Sequence, residues 1–373
     1  MNSFDIIIAG AGLAGTALTL ELLNSPLRNN KILVVEQKQG VVPYDRTWSY
    51  WTVKKHQFSK AVQERYTSVT VASDEYRQTF NLRNAVLERI SSQSLFFYAA
   101  KRIGAHKNVT VIHDRAESFY EDMDHAGVRL QKSGMFIAPW VFDSTSVNTT
   151  LPSNPFGVLG WTWTVRTKTN AFDTLAVTLF DFRNTPDSFS FFYILPVNRK
   201  TALLTLTQYG YQNEAQGDAK QFAMRYLKTA QNLPGATLEN GSYGFIPFLN
   251  HHHDRNPSSH IVPIGVKAGL MNSLSSYAFT EIMADTERMV EAMAQHKRPY
   301  YPRHHTHFPG INRAMRRLIR QNPQVAKKMF IDLFKLNSNT DEVLSFLSQD
   351  KPFMEYFPLV RHMNPFPLLA AAI

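Results

Sequence analysis

The stretch Asp5-Ile-Ile-Ile-Ala-Gly10-Ala-Gly12-Leu-Ala-Gly15, with the later Lys31-Ile-Leu-Val-Val-Glu36, decides the fold. The apolar run before the first glycine is typical of a buried parallel strand, and an apolar helical pattern separates the two stretches. Strand, glycine turn, helix, strand and acid follow one another as in a dinucleotide-binding unit. We therefore predict that the chain holds a dinucleotide; a fold that has lost its ligand is the alternative.

Each glycine of this unit has its own expected task. Gly10 permits the tight turn, Gly12 lets the backbone approach a pyrophosphate, and Gly15 lets the following helix pack close to the sheet. Glu36 ends the second strand about twenty residues later, where a carboxylate accepts hydrogen bonds from the ribose hydroxyls.

Composition limits the possible chemistry. A chain of 373 residues with 44% hydrophobic content buries a large core, and we expect one compact unit without repeats. It contains no cysteine, which excludes disulfides, thiolate zinc sites and thiol nucleophiles. No apolar run is long enough to span a bilayer, and the first residues enter a strand without a signal core. We expect a soluble, cytoplasmic protein.

Much of the net charge of +10 lies late in the chain. Residues 297–328 contain many lysines and arginines interleaved with apolar residues and no Asp or Glu. Three alternatives stay open: a solvated helix face, peripheral contact with an anionic membrane, and nucleic acid binding. We favour the first two and expect no nucleic acid partner, because a protein that tracks phosphates would not need the N-terminal dinucleotide unit.

The strand and helix patterns divide the chain into regions. Residues 66–80 alternate like paired strands, residues 85–102 have helical spacing, and short strands follow near residues 109–112, 126–130 and 134–137. Trp140-Val-Phe-Asp143 is predicted to lie beside the first strand. Long strands rich in Thr, Val and aromatic residues span 157–206, a helix is expected at 218–229, a late buried strand at 261–265, and helices from Tyr277 onward. The predicted regions are 1–155 for dinucleotide binding, 156–258 for an antiparallel substrate sheet, 259–295 for a return to the first region, and 296–373 for a basic helical region.

A second glycine turn, Gly265-Val-Lys-Ala-Gly269-Leu, follows the late strand. Such a distant closing segment favours FAD over a nicotinamide coenzyme, with a structural turn as the alternative. The candidate cofactor-binding residues are Gly10, Ala11, Gly12, Gly15, Glu36, Gln37, Arg46, Arg89, Asp143, Gly265, Ala268, Gly269 and Leu270.

Two further clusters have several interpretations. Asp45-Arg46-Thr-Trp48-Ser-Tyr50-Trp51 offers a guanidinium for a phosphate or flavin and aromatic rings for an apolar pocket, or else a packing cluster. The histidines at 251–253 and 304–307 lack the helical spacing of metal ligands, and we expect no metal site.

Several motifs together are more specific than the glycines. They are the opening unit, Asp45-Arg-Thr-Trp48, Gly160-Trp161, Leu179-Phe-Asp181-Phe-Arg183, Phe191-Phe-Tyr193-Ile-Leu-Pro196 with Ala202-Leu, Ile246-Pro247 and Gly265-Val-Lys-Ala-Gly269-Leu. In this order they resemble the motifs of lycopene cyclases, and the resemblance extends over nearly the whole chain.

The resemblance implies an α/β fold: a FAD-binding Rossmann-type domain of the glutathione-reductase or aromatic-hydroxylase type, an inserted antiparallel sheet and a helical C-terminal region. It also implies FAD reduced by NAD(P)H, and an isomerase of carotenoid biosynthesis in which an acid protonates a linear polyene and a ring closes. Reduced flavin and aromatic rings would stabilise the cation. The expected substrate-pocket residues are Trp48, Trp161, Trp163, Phe191, Tyr193 and Tyr277.

The sequence departs from this family at the proposed acid. Bacterial members carry a glutamate where this chain has Thr205, whose hydroxyl is too weak an acid to protonate an alkene. A Pro-Thr-Thr-Gly-Tyr type segment is here Ser273-Leu-Ser-Ser-Tyr277. Asp181 and Glu281 are the other candidate acids, with an ion pair to Arg183 and a solvated helix position as the respective alternatives.

Three functions remain after the sequence is read. The first is acid-initiated cyclisation of an apolar, polyene-like or prenyl-like substrate by a FAD enzyme. The second is a FAD-dependent monooxygenase or other redox enzyme on the same scaffold. The third is a protein that binds flavin or polyene without catalysis.

Overall fold

A computed structural model describes the protein over residues 2–37, 46–147, 149, 151–214, 218–248, 259–272, 275–301, 308–348, 351–361, 364 and 366–372. The predicted fold class is confirmed: a Rossmann-like α/β region, a long and mainly antiparallel sheet, and a helical C-terminal region.

A five-stranded parallel sheet lies at the centre of the Rossmann-like region. In spatial order its strands are β19 (Ile261–Pro263), β13 (Trp140–Asp143), β2 (Ile6–Ala9), β3 (Ile32–Glu36) and β9 (Val109–His113). Trp140 pairs with Ile6, so the predicted neighbour of the first strand is confirmed. The runs of Ile, Leu and Val are buried on both faces, as in other sheets covered by helices.

Two smaller sheets flank this centre. One contains β1 (Asn2–Ser3), β12 (Gly134–Ala138), β11 (Ala126–Leu130) and β10 (Ala116–Glu121), and the other contains β4 (Thr47–Thr52), β8 (Val86–Ser91) and β5 (Glu64–Tyr66). The predicted helix over 85–102 was wrong in its first part, because residues 86–91 pair with β4 along its length. The helix begins at Ser92, and the Ser91 side chain caps it by accepting a hydrogen bond from the Ser94 N–H.

The long sheet has seven strands. In spatial order they are β18 (Thr237–Pro247), β14 (Phe156–Arg166), β17 (Thr201–Tyr211), β16 (Ser190–Asn198), β15 (Ala176–Asp181), β6 (Ser68–Ala72) and β7 (Arg77–Asn81). Pairing is antiparallel except between β15 and β6. Strands β6 and β7 come from the region predicted to bind the dinucleotide, so this sheet crosses the boundary drawn at residue 155.

Apart from the start of α2, the helices lie where the sequence patterns indicate. Their bounds are α1 (Leu13–Leu23), α2 (Ser92–Ile103), α3 (Ala219–Thr229), α4 (Phe279–His296), α5 (Pro309–Gln321), α6 (Pro323–Lys335), α7 (Thr340–Ser348), α8 (Phe357–Val360) and α9 (Phe366–Ala372). In the described part of the chain, no helix has both the length and the apolar character needed to cross a bilayer.

The two faces of the long sheet pack against different partners. On the inner face, Phe191, Tyr193 and Tyr209 belong to the apolar core shared with α5, α6 and α7. On the outer face, Phe192 and Leu206 pack with α3. Because neighbouring residues of a strand point to opposite faces, the register of this sheet determines which side chains can share a site.

Candidate functional site

The glycine turn between β2 and α1 has the geometry of a pyrophosphate site. Gly10 has a φ of +93°, and a Cβ there would overlap the Ser144 hydroxyl. A Cβ on Gly15 would overlap the Gly10 carbonyl oxygen, which explains how closely α1 approaches the turn. A Cβ on Gly12 would meet no atom within 4 Å, so the backbone there is open to a ligand. The turn thus combines two constrained glycines with one open glycine.

Three other segments converge on this turn. The Glu36 carboxylate accepts a hydrogen bond from the Ala11 N–H at 2.8 Å. Asp143, at the end of β13, is buried and forms an ion pair with Lys267. The second turn has positive φ angles at Gly265 (65°) and Gly269 (75°).

We call the resulting site the dinucleotide cradle and define it as residues 9–15, Glu36, Asp143 and 265–270. A Cβ on Gly265 would lie 2.7 Å from the Ala14 Cβ, so the second turn packs directly on the first helix. Ala268 and Leu270 are buried beside it. The structure therefore brings together most of the cofactor-binding residues predicted from the sequence.

Two predicted arginines lie differently. Arg89 is buried in β8, and its guanidinium donates to the Glu64 carboxylate, with Nη2 and Oε1 separated by 3.0 Å. Arg46 is exposed, and its backbone exchanges hydrogen bonds with Ser92 at the start of α2. Gln37 is exposed directly after β3. Cofactor contacts by these three residues stay predictions, and Arg89 already has a partner within the protein.

Thr205 lies on the inner face of the long sheet. It pairs with Tyr193 on one neighbouring strand and with Thr162 on the other, so all three side chains share this face. The Thr162 and Thr205 hydroxyl oxygens are 2.9 Å apart and hydrogen-bonded. We call these three residues the hydroxyl row. It occupies the position at which the sequence resemblance places the family's acid.

The hydroxyl row faces a second set of hydroxyl groups. The hydroxyls of Ser49 in β4 and of Tyr277, before α4, lie close enough to the Tyr193 hydroxyl to interact with it as hydrogen-bonding groups. The Tyr277 ring lies 4.6 Å from that of Trp51 between centroids, and burial raises its pKa. Sequence reasoning missed Ser49 as a site residue because a serine between two aromatic residues carries no signal of its own.

Ser276 forms another link between the segment before α4 and the long sheet. Its hydroxyl bonds to the Tyr209 hydroxyl, and its φ is +62°, a left-handed conformation that is uncommon for serine. Ser276 belongs to the segment 273–277, which departs from the family pattern in sequence. Residues 273 and 274 of that segment lie outside the described part of the chain.

The expectation of one aromatic pocket was wrong in part. Trp161 and Trp163 pair with Leu206 and Leu204 and lie on the outer face, near α3, whereas Phe191 and Tyr193 lie on the inner face. The sheet therefore separates the predicted residues into two groups. The reason is the alternation of side chains along a strand, which places odd and even positions of β16 and their cross-strand partners on opposite faces.

Asp181 is also on the outer side. It is fully buried, its carboxylate accepts from Arg183 at 2.9 and 2.6 Å, and it accepts from the Tyr226 hydroxyl at 2.8 Å. The ion pair with Arg183 that the sequence left as an alternative is present. Since Tyr226 belongs to α3 and the hydroxyl row lies on the opposite face, the structure does not bring Asp181 together with Thr205.

The remaining predicted residues lie on other elements or outside the described part of the chain. Glu281 is half-buried in the first turn of α4, four positions after Tyr277. Trp48 packs edge-to-face on Phe96, with 6.0 Å between ring centroids. The two histidine groups lie outside the described residues. Among the residues that are described, no group of three or more His, Asp or Glu side chains is arranged to hold a metal ion.

A family model described as lycopene cyclase protein matches residues 5–348. The chain belongs to this family. No curated protein sequence matches the chain significantly.

Solved structures show the same fold at low sequence identity. A geranylgeranyl bacteriochlorophyll reductase-like protein from Thermoplasma acidophilum has a TM-score of 0.63 and 11% identity, with 100% of each chain covered. The flavin-dependent brominase Bmp2 has a TM-score of 0.61 and 13% identity, with 93% of this chain and 94% of that chain covered. A variant of the halogenase PltM in complex with FAD has a TM-score of 0.61 and 13% identity, with 99% and 86% covered.

Proposed function

We propose that the protein is a FAD-dependent enzyme acting on an apolar substrate of the polyene or prenyl type. The observation that carries this proposal is the dinucleotide cradle, in which Gly12 is open while Gly10 and Gly15 are fixed by close packing. The FAD complex of a halogenase with the same fold supports FAD as the dinucleotide.

The cradle residues fit the parts of this cofactor. The turn at Gly12 and the N-terminus of α1 would hold the pyrophosphate, and Glu36 would accept from the ribose. Residues 265–270 would close the site from the other side. When bound and reduced by NAD(P)H, FAD would supply electrons or a negative charge close to a reacting cation.

For the reaction itself we propose acid-initiated cyclisation, as membership of the family suggests. Of the two acids considered from the sequence, Glu281 is the better candidate by position, because it follows Tyr277 by four residues. Asp181 instead lies on the outer face, away from Thr205. Glu281 would donate a proton to one end of the substrate, the neighbouring double bond would attack the resulting cation, and loss of a proton from the ring would give the isomer. Aromatic residues of the inner face would surround the cation.

The hydroxyl row favours a second candidate, a redox flavoenzyme. Thr205 stands at the position of the family's acid and is hydrogen-bonded to Thr162. A hydroxyl pair can orient a substrate but is too weakly acidic to start a cyclisation. On this alternative the enzyme would be a monooxygenase or reductase acting on a similar substrate.

Two measurements test these proposals. Purified protein should be yellow or should take up added FAD, and failure to do either would refute both enzyme proposals. Incubation with a linear carotenoid, FAD and NADPH then separates the reactions: cyclisation gives a ringed isomer without oxygen consumption, whereas oxygenation consumes oxygen. FAD binding with neither reaction would support the non-catalytic alternative.

Substitution of Glu281 tests the proposed acid. We expect Glu281→Gln to reduce cyclisation at least about 100-fold, the usual contribution of a general acid, without loss of FAD. Glu291→Gln is the matched control, because Glu291 is exposed on the same helix and bonds to Gln295. Equal activity of the two variants would remove Glu281 from the mechanism.

We also propose that the exposed basic face of α5 contacts anionic membrane lipids. Arg313, Arg317 and Arg320 are exposed at helical spacing, and Phe366 of the adjacent α9 is 74% exposed. A basic face beside an exposed ring is typical of interfacial helices. A face that is merely solvated remains the alternative, and vesicle binding distinguishes the two.

A further inference from the structure

The hydroxyl group of Tyr193 is buried without a well-aligned hydrogen bond. The residue is 9% exposed, and its hydroxyl makes no hydrogen bond of acceptable length and angle to any described residue. The hydroxyls of Ser49 and Tyr277 lie close enough to interact with it as hydrogen-bonding groups, but neither forms a bond of that length and angle. Because buried hydroxyls nearly always have a well-aligned partner, this one can take a further group beside it.

Tyr193 keeps its proton in this environment. Burial raises the pKa of Tyr193 well above its ordinary value, so the side chain is a neutral phenol at physiological pH. A neutral phenol can donate one hydrogen bond and accept another. A further group beside Tyr193 can therefore accept the phenol proton or donate to the phenol oxygen, and it need not carry charge.

The other two members of the hydroxyl row add a second donor. Between Thr162 and Thr205 one hydroxyl donates to the other, which leaves one O–H of the pair unused by that bond. This pair stands directly beside Tyr193 in the register of the sheet. The row thus offers two neutral O–H groups side by side on one face.

Open space adjoins the row. Gly160 and Gly244 pair with each other in the next row of the same face, and a Cβ on either would meet no atom within 4 Å. The strand segments 158–164, 189–195, 203–209 and 242–246 contain no charged residue. An extended apolar molecule could lie along this strip, because these segments bring no charge to it. Further along the same face, Arg320 of α5 lies over the rings of Phe156 and Tyr211.

We propose that the hydroxyl row binds an uncharged oxygen atom, a hydroxyl or carbonyl, of an otherwise apolar substrate that extends over Gly160 and Gly244. This inference rests on the proposed function and narrows its substrate class from any polyene or prenyl chain to an oxygenated one. Tyr193 and the threonine pair are then binding residues that select substrate by hydrogen bonding.

The test compares two probes that differ in one group. Geranylgeraniol carries a terminal hydroxyl, and the tetraene hydrocarbon of the same skeleton carries a hydrogen atom in its place. Binding to the FAD-loaded protein is measured from the change in flavin absorbance or in intrinsic fluorescence. We expect the wild-type protein to bind the alcohol at least about tenfold more tightly, since a site built to hydrogen-bond an oxygen discriminates strongly against its absence.

Substitutions then locate the preference. Tyr193→Phe should remove most of the preference for the alcohol and leave the affinity for the hydrocarbon unchanged, and Thr205→Val should remove part of it. Tyr243→Phe is the control, because Tyr243 is exposed and pairs with Trp161 on the outer face. Thermal unfolding shows whether each variant is folded. If Tyr193→Phe does not fold, the loss of part of the preference in Thr205→Val is the test.

Three outcomes would overturn the inference: equal affinity of the wild-type protein for both probes, no binding of either probe, or a preference that survives both substitutions. Each of these is read on protein that has taken up FAD. Failure to take up FAD refutes the proposed function instead, so the two failures are distinguishable.

Discussion

The dinucleotide cradle and the inner face of the long sheet differ in what their positions demand of the sequence. In the cradle, the backbone determines the residue: Gly10 has a positive φ and Gly15 lies against a carbonyl oxygen. On the inner face, position 205 sits in a regular strand that accepts many residue types. The threonine here, and the glutamate that the resemblance to lycopene cyclases places at this position, both fit such a strand. The backbone of the cradle therefore restricts its residues, whereas the regular strand leaves position 205 open to different side chains.

The largest expected effect comes from breaking the cradle. Gly15→Val would force a side chain into the Gly10 carbonyl, and we expect a loss of FAD binding together with destabilisation by about 4 kcal/mol, at the upper end of single substitutions. Chemical denaturation and flavin absorbance measure the two effects.

Two controls separate packing from ligand contact. Gly235→Ala should be harmless, because a Cβ there meets no atom within 4 Å. Gly12→Ala should fold normally but bind FAD more weakly than the wild type, since its Cβ would point into the open space of the cradle. Normal FAD binding by Gly15→Val would contradict the description of the cradle.

The second prediction concerns the outer face. Asp181→Asn would leave the half-buried Arg183 without its charged partner, and we expect the free energy of unfolding to fall by about 3 kcal/mol. At temperatures where the variant is folded, the pH dependence of turnover should match that of the wild type. A pH profile that loses its alkaline limb would instead make Asp181 a proton donor, because an acid catalyst stops working as it deprotonates.

The same comparison shows how far the sequence predicts this protein. The parallel sheet, the two glycine turns and the C-terminal helices followed from local patterns, because short-range geometry selects these residues. The sequence did not predict on which face of the sheet Trp161, Trp163 and Asp181 lie. Their faces depend on strand register and, for Asp181, on the bulge between Thr178 and Asp181. Nothing in the sequence indicated that Ser49 belongs to the site, because its contact with Tyr193 requires β4 and β16 to lie together.

A third prediction tests the joint between the two regions. Burial alone would raise the pKa of Glu88, but hydrogen bonds from His56 and Arg65 outweigh it and hold the pKa below its ordinary value near 4.5. The carboxylate also accepts from the hydroxyl of Tyr50, whose ring stacks at 3.7 Å on Phe279, the first residue of α4. This network therefore anchors the helix that carries the proposed acid.

The sign of the pH effect follows from the lowered pKa. Ionised Glu88 contributes its full stabilisation at pH values above about 4.5, and the contribution is lost as the pH falls through the folded-state pKa. Glu88→Gln should lower the free energy of unfolding by roughly 2 kcal/mol at pH 7 and flatten its dependence on pH below 5. An unchanged pH dependence in the variant would exclude Glu88 as its source.

The smallest expected effect lies outside both regions, on the basic face of α5. Arg313→Gln should weaken binding to vesicles containing anionic lipid by about fivefold, because one cation near such a surface contributes about 1 kcal/mol. Lys228→Gln is the matched control, since Lys228 is an exposed cation on α3, which packs on the outer face of the long sheet. The face of α5 is merely solvated, and its positive charge serves solubility, in either of two cases. In one, both variants bind the vesicles as tightly as the wild type; in the other, neither the wild type nor the variants bind them. If only Arg313→Gln loses affinity, an apolar substrate dissolved in the membrane could reach the inner face from that side, and the charge would then belong to substrate delivery.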